Sequence, residues 1–208
     1  MTATLSEIEL LDRLVGFNTV SSRSNLDLID FVRSYLEGLG VASTILPDPT
    51  GKKANLLASI GPVENAGYVL SGHTDVVPVE GQEWSRDPFT MWRENDRLYG
   101  RGTTDMKGFV ACMLARVPAM LAEPLAAPFH LALSYDEEVG CLGAYGLVDH
   151  MVRTLPEQLA VFVGEPTEMG VVGGHKGSTG LLTKIAGKAC HSSRPDLGVN
   201  AIFHAMDL

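Results

Sequence analysis

Acidic and histidine side chains that follow short apolar runs constrain this chain more than any other feature of its sequence. Four such clusters occur in succession: His73 with Asp75, then Asp105, then Glu137 with Glu138, and then Glu165. Segments with helical spacing alternate with the apolar runs, which indicates an α/β fold with a mostly parallel mixed sheet covered by helices on both faces. Because such folds place ligands at the carboxyl ends of their strands, we expect these side chains to meet at one sheet edge.

The same alternation predicts the individual elements. Ser6 and Glu9 form a capping box for a first helix, which has Ile8, Leu11, Leu14 and Val15 at helical spacing, and a second helix begins near Asn25. Further helices are predicted over 107–121 and 141–151, strands over 41–46, 55–60, 68–71, 129–134 and 159–163, and a hairpin turn at 94–96. Past residue 174 we predict a β-rich stretch over 177–187 and the beginning of a helix over 198–208. We therefore place a domain boundary between residues 176 and 177.

The composition narrows the class of partner and the compartment. A net charge of −9 disfavours a nucleic-acid partner, which requires clustered Lys and Arg. The three cysteines are scattered without CxxC spacing, which fits a reducing compartment and gives no thiolate zinc site. We also find no signal-peptide pattern and no apolar run of the roughly 18 residues that a membrane helix needs. A cytoplasmic protein with a small-molecule substrate and no membrane association is the expectation.

The first two clusters have residue types that suit a metal site. His73 and Asp75 are two residues apart, so in extended backbone both point to the same side, where Asp75 can orient the imidazole of a metal-bound His73. Asp105 follows a glycine-rich segment and precedes a helix, and one carboxylate can bind two metal ions. Taken alone, the first motif is more typical of a surface turn and the second of a helix cap.

The later clusters complete the pattern. Glu137 and Glu138 are neighbours whose side chains diverge, so that one can bind metal while the other acts on the substrate water, although such pairs are more often solvated surface. Glu165 ends the fourth apolar run. His191 and His175 are candidates for substrate contact, with a purely structural role as the alternative. The recurrence at successive strand ends, rather than any single motif, predicts the site.

Six motifs together resemble the M20 family of zinc-dependent metallopeptidases and deacylases, from about Leu5 to the last residue. They are SGHTDVVP, LYGRGTTDMKG, SYDEEVG, GEPT, HKG and HSSRPDLGVNAI. The resemblance implies a ligand set in which His73 and Glu165 hold one zinc ion, Asp105 bridges and Glu138 holds a second. It also implies roles outside the ligand set, with Glu137 as general base, Asp75 as the residue that orients His73, and His191 as a lid-domain residue that stabilises the tetrahedral intermediate.

The resemblance also implies the domain organisation. Residues 1–176 would form a catalytic zinc-hydrolase domain that lacks its C-terminal part, and residues 177–208 the beginning of an α+β lid through which the full-length protein forms a homodimer. A further histidine ligand of the second zinc would lie beyond residue 208, so we expect the first site to bind more tightly. Two Zn²⁺ ions are the expected cofactors, with Co²⁺ or Mn²⁺ as substitutes.

The function that the resemblance implies is hydrolysis of the N-acyl amide of an amino acid. N-acetylornithine, cleaved to ornithine and acetate in arginine biosynthesis, is the expected substrate, and the chain is expected to be an N-terminal fragment. Two alternatives stay open: a short metal-binding homologue without turnover, and a dipeptidase or succinyl-diaminopimelate hydrolase of the same family. Because Leu181, Ile202 and their apolar neighbours have little to pack against, we also expect the 208-residue chain to self-associate.

Overall fold

Helices and strands alternate along the computed structural model, which describes residues 4–174, 176–177 and 179–206. The strands are β1 (Ser43–Pro47), β2 (Ala54–Ile60), β3 (Tyr68–His73), β4 (Trp92–Glu94), β5 (Arg97–Tyr99), β6 (Phe129–Ser134) and β7 (Ala160–Val163). The helices are α1 (Glu7–Val15), α2 (Leu26–Gly38), α3 (Lys107–Ala122), α4 (Ala144–Thr154) and the short α5 (Ala201–Ala205). The predicted elements before residue 164 are all present, with bounds that differ by a few residues.

The five longer strands form one mixed sheet in the order β1-β2-β6-β3-β7. Strand β3 pairs in parallel with both β6 and β7, whereas β2 is antiparallel to β1 and to β6. Four strands therefore run in one direction and β2 runs in the other, which confirms the mostly parallel mixed sheet. Because β3, β6 and β7 are adjacent and parallel, the segments that follow them leave the sheet at the same edge.

Helices cover both faces of this sheet, as predicted. Alternate residues of β2 point to opposite sides, so Leu56 packs in the core that α1, α2 and α3 form on one face, and Leu57 packs with Leu147 of α4 on the other. The larger core contains fully buried residues from each layer, such as Leu114 of α3 and Leu131 of β6. Burial of this apolar surface fixes the strands whose ends carry the candidate ligands.

The capping box of α1 is formed as the sequence predicts. The backbone N–H of Ser6 donates to Glu9 Oε2 at 2.8 Å, and the backbone N–H of Glu9 donates to Ser6 Oγ at 3.3 Å. Leu11, Leu14 and Val15 of the predicted apolar spacing are buried, whereas Ile8 is half exposed. Leu10 joins the buried face of the helix, which packs against α3.

A two-stranded hairpin of β4 and β5 precedes α3. Its turn residues Asn95 and Asp96 have φ angles of 48° and 58°, a left-handed conformation that suits a tight hairpin turn. Trp92 stacks on Tyr99 with ring centroids 5.3 Å apart. The hairpin and its turn are where the sequence predicts them, and the aromatic side chains are packing residues.

The chain separates into two compact units, Met1–Met169 and Gly170–Leu208. In the second unit, the described residues of 179–187 form no strand, so the predicted β-rich stretch is not found there. An isolated bridge joins Lys188 to Val199, and Asn200 caps α5 through a hydrogen bond from the backbone N–H of Ile202. Strands require pairing partners, which this segment does not find among the described residues. The domain boundary at 176/177 stays a prediction.

Across the part of the chain that the structure describes, no helix is both long enough and apolar enough to cross a bilayer.

Candidate metal centre

The carboxyl edge of the sheet brings the predicted ligands together around His73. This residue ends β3, is almost fully buried, and points its Nε2 at three carboxylates from other segments. Nε2 lies 3.1 Å from Asp105 Oδ1, 3.7 Å from Glu165 Oε1 and 3.9 Å from Glu137 Oε2. Asp105 lies two residues before the start of α3. Glu137 and Glu138 lie in the loop after β6, and Glu165 follows β7. The prediction that these side chains meet at one sheet edge is therefore confirmed.

Among the residues that the structure describes, two sets of three ligand atoms are close enough to hold a metal ion. One set is His73, Asp105 and Glu138, and the other is His73, Glu137 and Glu165; within each set all ligand atoms lie within 4.8 Å of one another. One imidazole and two carboxylates provide the three protein ligands that a catalytic zinc site uses. This grouping includes Glu137, whereas the resemblance implies that Glu137 is a base and not a ligand. The division of ligands between two ions therefore stays a prediction.

Crowding of the carboxylates favours a bound cation. Burial raises the pKa of Glu165, and the negative charges of Asp105 and Glu137 raise it further against the opposing effect of His73. Burial and then the charge of Asp105 likewise raise the pKa of Glu138. A cation among these groups would neutralise their mutual repulsion, which is the usual reason why a protein gathers carboxylates at a strand edge.

The ring of His73 is held by Asp75. Nδ1 lies 2.9 Å from the backbone carbonyl oxygen of Asp75 and 3.6 Å from its carboxylate Oδ1, so the carbonyl is the nearer acceptor. Burial alone would lower the pKa of His73, but the adjacent Asp75 and then the charge of Glu165 raise it to about 9. Without metal the imidazole is consequently protonated at neutral pH.

The carboxylate of Asp75 binds the loop after β6. It accepts hydrogen bonds from the backbone N–H of Glu137 at 3.0 Å and of Glu138 at 3.3 Å, and from Ser21 Oγ at 2.7 Å. Burial would raise the pKa of Asp75, but His73 and the donors Ser21 and Glu137 N–H hold it below its ordinary value. Asp75 therefore contacts both His73 and the segment that carries the two glutamates. The contact with that segment is additional to its predicted role of orienting His73.

A polar layer behind the centre was not predicted. Thr19 and Ser21 form backbone hydrogen bonds with Val76, and Thr19 Oγ1 donates to the carbonyl oxygen of Thr74 at 2.6 Å. Lys107, buried at the start of α3, donates to the carbonyl oxygen of Phe17 at 2.7 Å, and its burial lowers its pKa to about 7. Because lysine and serine are usually surface residues, the sequence gives no sign that Lys107 and Ser21 are buried and make these contacts.

The roles of the two histidines predicted to contact substrate stay predictions. His191 belongs to the second unit, is exposed, and has its Nδ1 2.9 Å from Ser193 Oγ; its role stays a prediction. His175 lies outside the described residues. His130 is fully buried in β6, with Nδ1 2.8 Å from Ser59 Oγ.

Two cavities differ in their relation to the centre. A cavity of about 200 Å³ opens beside Asp105 and Glu138 and is also lined by Arg101 and Thr103. A larger and more apolar cavity of about 440 Å³ lies between α4 and the sheet and is lined by none of the candidate ligands. Of these two cavities, the smaller one borders the candidate ligands.

Comparison with known proteins agrees with this geometry. Residues 69–194 match the model of peptidase family M20/M25/M40. Acetylornithine deacetylase of Yersinia pseudotuberculosis serotype O:1b (strain IP 31758) is 40% identical over 207 residues, which cover 94% of this chain and 52% of that protein. Acetylornithine deacetylase of Pasteurella multocida (strain Pm70) is 35% identical over 204 residues, with coverage of 95% and 52%. The chain belongs to peptidase family M20/M25/M40, and it spans about half the length of these curated relatives.

Solved structures share the fold. Human carnosine dipeptidase 1 superimposes with a TM-score of 0.65 at 23% identity, covering 76% of this chain and 38% of that one. The M20 family metallo-carboxypeptidase Sso-CP2 from Sulfolobus solfataricus gives a TM-score of 0.67 at 23% identity, covering 76% and 37%. The sheet and its helices are therefore those of M20 catalytic domains.

Proposed function

We propose that this chain contributes the metal-binding part of a hydrolase that cleaves the N-acyl amide of an amino acid, with N-acetylornithine as substrate. The observation that carries the proposal is the convergence of one histidine and four carboxylates from four segments on a single point at the sheet edge. The names of the most similar curated relatives support the choice of substrate. A role in arginine biosynthesis, a cytoplasmic location and a homodimer formed through the lid are parts of the same proposal.

The residues present fit a pair of divalent cations. His73 and Glu165 would hold the first, Asp105 would lie between the two, and Glu138 would hold the second. Zinc is the proposed metal, and when bound it would lower the pKa of its water to about 7. Because the second ion has fewer protein ligands among the described residues, we expect weaker binding there.

The remaining side chains provide proton transfer and orientation. Glu137 would accept the proton of the attacking water and deliver it to the departing amine, since its carboxylate is close to His73 and partly exposed to the site. Asp75 keeps His73 and the loop of Glu137 in fixed relative positions through the contacts described above. His191 would add a hydrogen-bond donor for the charge that develops on the acyl oxygen.

Metal analysis combined with a substrate panel tests the proposal. The chain is purified, loaded with Zn²⁺ or Co²⁺, and assayed alone and together with the C-terminal half of the Yersinia relative. The panel contains N-acetylornithine, N-succinyl-diaminopimelate and dipeptides. Preferential cleavage of N-acetylornithine supports the proposed substrate, whereas preference for another panel member assigns the chain to that substrate class. A chain that binds neither metal would disprove the metal centre.

A metal-binding protein without turnover is the second candidate. It is favoured by one observation, which is that Glu137 groups with His73 and Glu165 as a possible ligand and would then not be free to act as the base. Stoichiometric metal binding with no hydrolysis of any panel member, both alone and with the C-terminal half supplied, would support this candidate over the first.

A further inference from the structure

The loop after β6 must hold its backbone fixed for Glu137 and Glu138 to face the metal centre. Its own hydrogen bonds close a turn, from the backbone N–H of Gly140 to the carbonyl oxygen of Glu137 at 2.9 Å and from Gly143 to Tyr135 at 3.1 Å. Asp136 begins the turn with a φ of 57°, a left-handed conformation that is uncommon for aspartate. Local bonds therefore shape the loop, but they do not tie it to His73.

Ser21 provides one external link. Its hydroxyl donates to Asp75 Oδ2 at 2.7 Å, and the same carboxylate accepts the backbone N–H groups of Glu137 and Glu138. Ser21 and Asp75 are both buried, so water competes little for these bonds. Asp75 Oδ2 therefore accepts hydrogen bonds from both Ser21 and the backbone of the loop.

Lys53 provides a second link to the same loop. Its Nζ forms an ion pair with Asp136 Oδ1 and also donates to the backbone carbonyl oxygen of Ser21. The Lys53 and Asp136 side chains are only 17% and 12% exposed, so this pair is shielded from solvent, unlike the surface pairs of the chain. One ammonium group thus joins the segment of Ser21 to the residue that precedes Glu137.

We propose that Ser21 and Lys53 are positioning residues that hold the loop of Glu137 and Glu138 in register with His73 and so set the affinity of the centre for metal. The proposal rests on the metal centre put forward above. Neither residue touches the candidate ligand atoms; both act through Asp75, Asp136 and backbone. Outer contacts of this kind change metal affinity by about 10- to 100-fold when they are removed.

The experiment uses the 208-residue chain with two readouts. Zn²⁺ affinity is measured by competition with a chelator, and hydrogen exchange of the segment 135–143 is measured in the metal-free chain. The test variants are Ser21→Ala and Lys53→Met. Their matched controls are the exposed neighbours Ser22→Ala and Lys52→Met, and Ser21→Thr restores the hydroxyl.

We expect Ser21→Ala and Lys53→Met to weaken Zn²⁺ binding by about 10-fold or more and to speed exchange in the loop, while both controls behave as wild type. We also expect Ser21→Thr to recover most of the affinity and Lys53→Met/Asp136→Asn to be no worse than Lys53→Met alone. Wild-type affinity and loop exchange in both test variants would overturn the proposal. So would a lowered melting temperature with unchanged affinity, which is the signature of a merely structural role.

The wild-type measurement separates the two proposals. If the wild-type chain binds no Zn²⁺, the proposed function is disproved, and so is the inference that Ser21 and Lys53 set the metal affinity. If the wild type binds Zn²⁺ and Ser21→Ala and Lys53→Met bind it equally well, only the positioning inference fails.

Discussion

Glu137 lies close enough to His73 to be either a proton carrier or a ligand. Its Oε2 is 3.9 Å from His73 Nε2, and its Oε1 is 3.6 Å from the Sγ of Cys141. We predict that Glu137→Gln lowers the hydrolysis rate by about 100-fold or more, because the amide cannot accept the proton. Zn²⁺ stoichiometry should be unchanged. Turnover of N-acetylornithine and metal content of the same sample provide the measurement.

Glu138→Gln is the matched control for this substitution. As a proposed ligand, Glu138 should lose metal affinity when its charge is removed, whereas Glu137 should not. If Glu137→Gln also loses metal, Glu137 is a ligand of the set that includes His73 and Glu165. If it retains full activity, it is not the base.

Metal binding is predicted to depend on pH through His73. Its pKa of about 9 in the metal-free chain means that the imidazole is protonated at pH 7, and a ligand nitrogen must be deprotonated. Affinity should therefore rise with pH up to about 9 and level off above it, since the proton no longer has to be displaced there.

Calorimetry in buffers of different ionisation enthalpy checks this prediction. At pH 7 we expect release of about one proton per bound Zn²⁺ from His73. Binding without proton release at pH 7 would contradict the raised pKa, and so would an affinity that falls between pH 7 and pH 9. Because Lys107 has a pKa of about 7, Lys107→Met is the control that leaves only the imidazole contribution.

At the residue scale, residue types and their strand-end positions were sufficient to predict which side chains meet. The pairings among them were not predictable. In extended backbone the spacing of His73 and Asp75 suggests a contact between the ring and the carboxylate, but the nearer acceptor is the carbonyl oxygen. The carboxylate instead accepts two backbone N–H groups and Ser21 Oγ, partners that are 54 to 63 residues away in sequence. Such long-range contacts leave no local pattern in one sequence.

The packing of α3 against the end of β7 controls the position of Glu165. Gly164 precedes that proposed ligand, and a methyl group added there would overlap the ring of Phe109, so one of the two must shift. We predict that Gly164→Ala lowers the free energy of unfolding by about 1–3 kcal/mol and weakens Zn²⁺ binding, because the backbone of Glu165 must shift. Denaturant unfolding and chelator competition measure the two effects.

Two variants make this test specific. Phe109→Ala combined with Gly164→Ala should recover part of the lost metal affinity, because it frees the space for the methyl group. Gly146→Ala, inside α4 with its nearest neighbour 3.9 Å from the added atom, should be stabilising by up to about 1 kcal/mol. Unchanged metal affinity in Gly164→Ala would show that the strand end does not depend on this contact.

At the element scale, the spacing of apolar residues and the helix-capping residues predicted the helices and strands of the first unit well. The strand order could not be predicted, because no local sequence pattern indicates that β6 lies between β2 and β3 or that β2 runs opposite to its neighbours. In contrast to the elements of the first unit, the predicted β-rich stretch over 177–187 was not found. Its alternating apolar residues have strand character, but strands form only where partners are available, and Leu181 is 91% exposed.

Exposed apolar side chains at one sheet edge and in the second unit determine how the whole molecule behaves in solution. Strand β7 ends the sheet order, and its side chains of Val161, Phe162 and Val163 are more than half exposed. In the second unit Leu182 and Phe203 are similarly exposed. An uncovered apolar edge strand offers both backbone partners and apolar surface to another copy.

We therefore predict that the purified 208-residue chain self-associates as its concentration rises, as the sequence also suggested. Val161→Lys should shift the equilibrium towards monomer, because a charge on an edge strand opposes strand pairing. Ile8→Lys is the control, since Ile8 is equally exposed but lies on α1. Sedimentation velocity over a concentration series gives the measurement. A monodisperse wild-type monomer would rule out association, and equal association of both variants would place the contact away from β7.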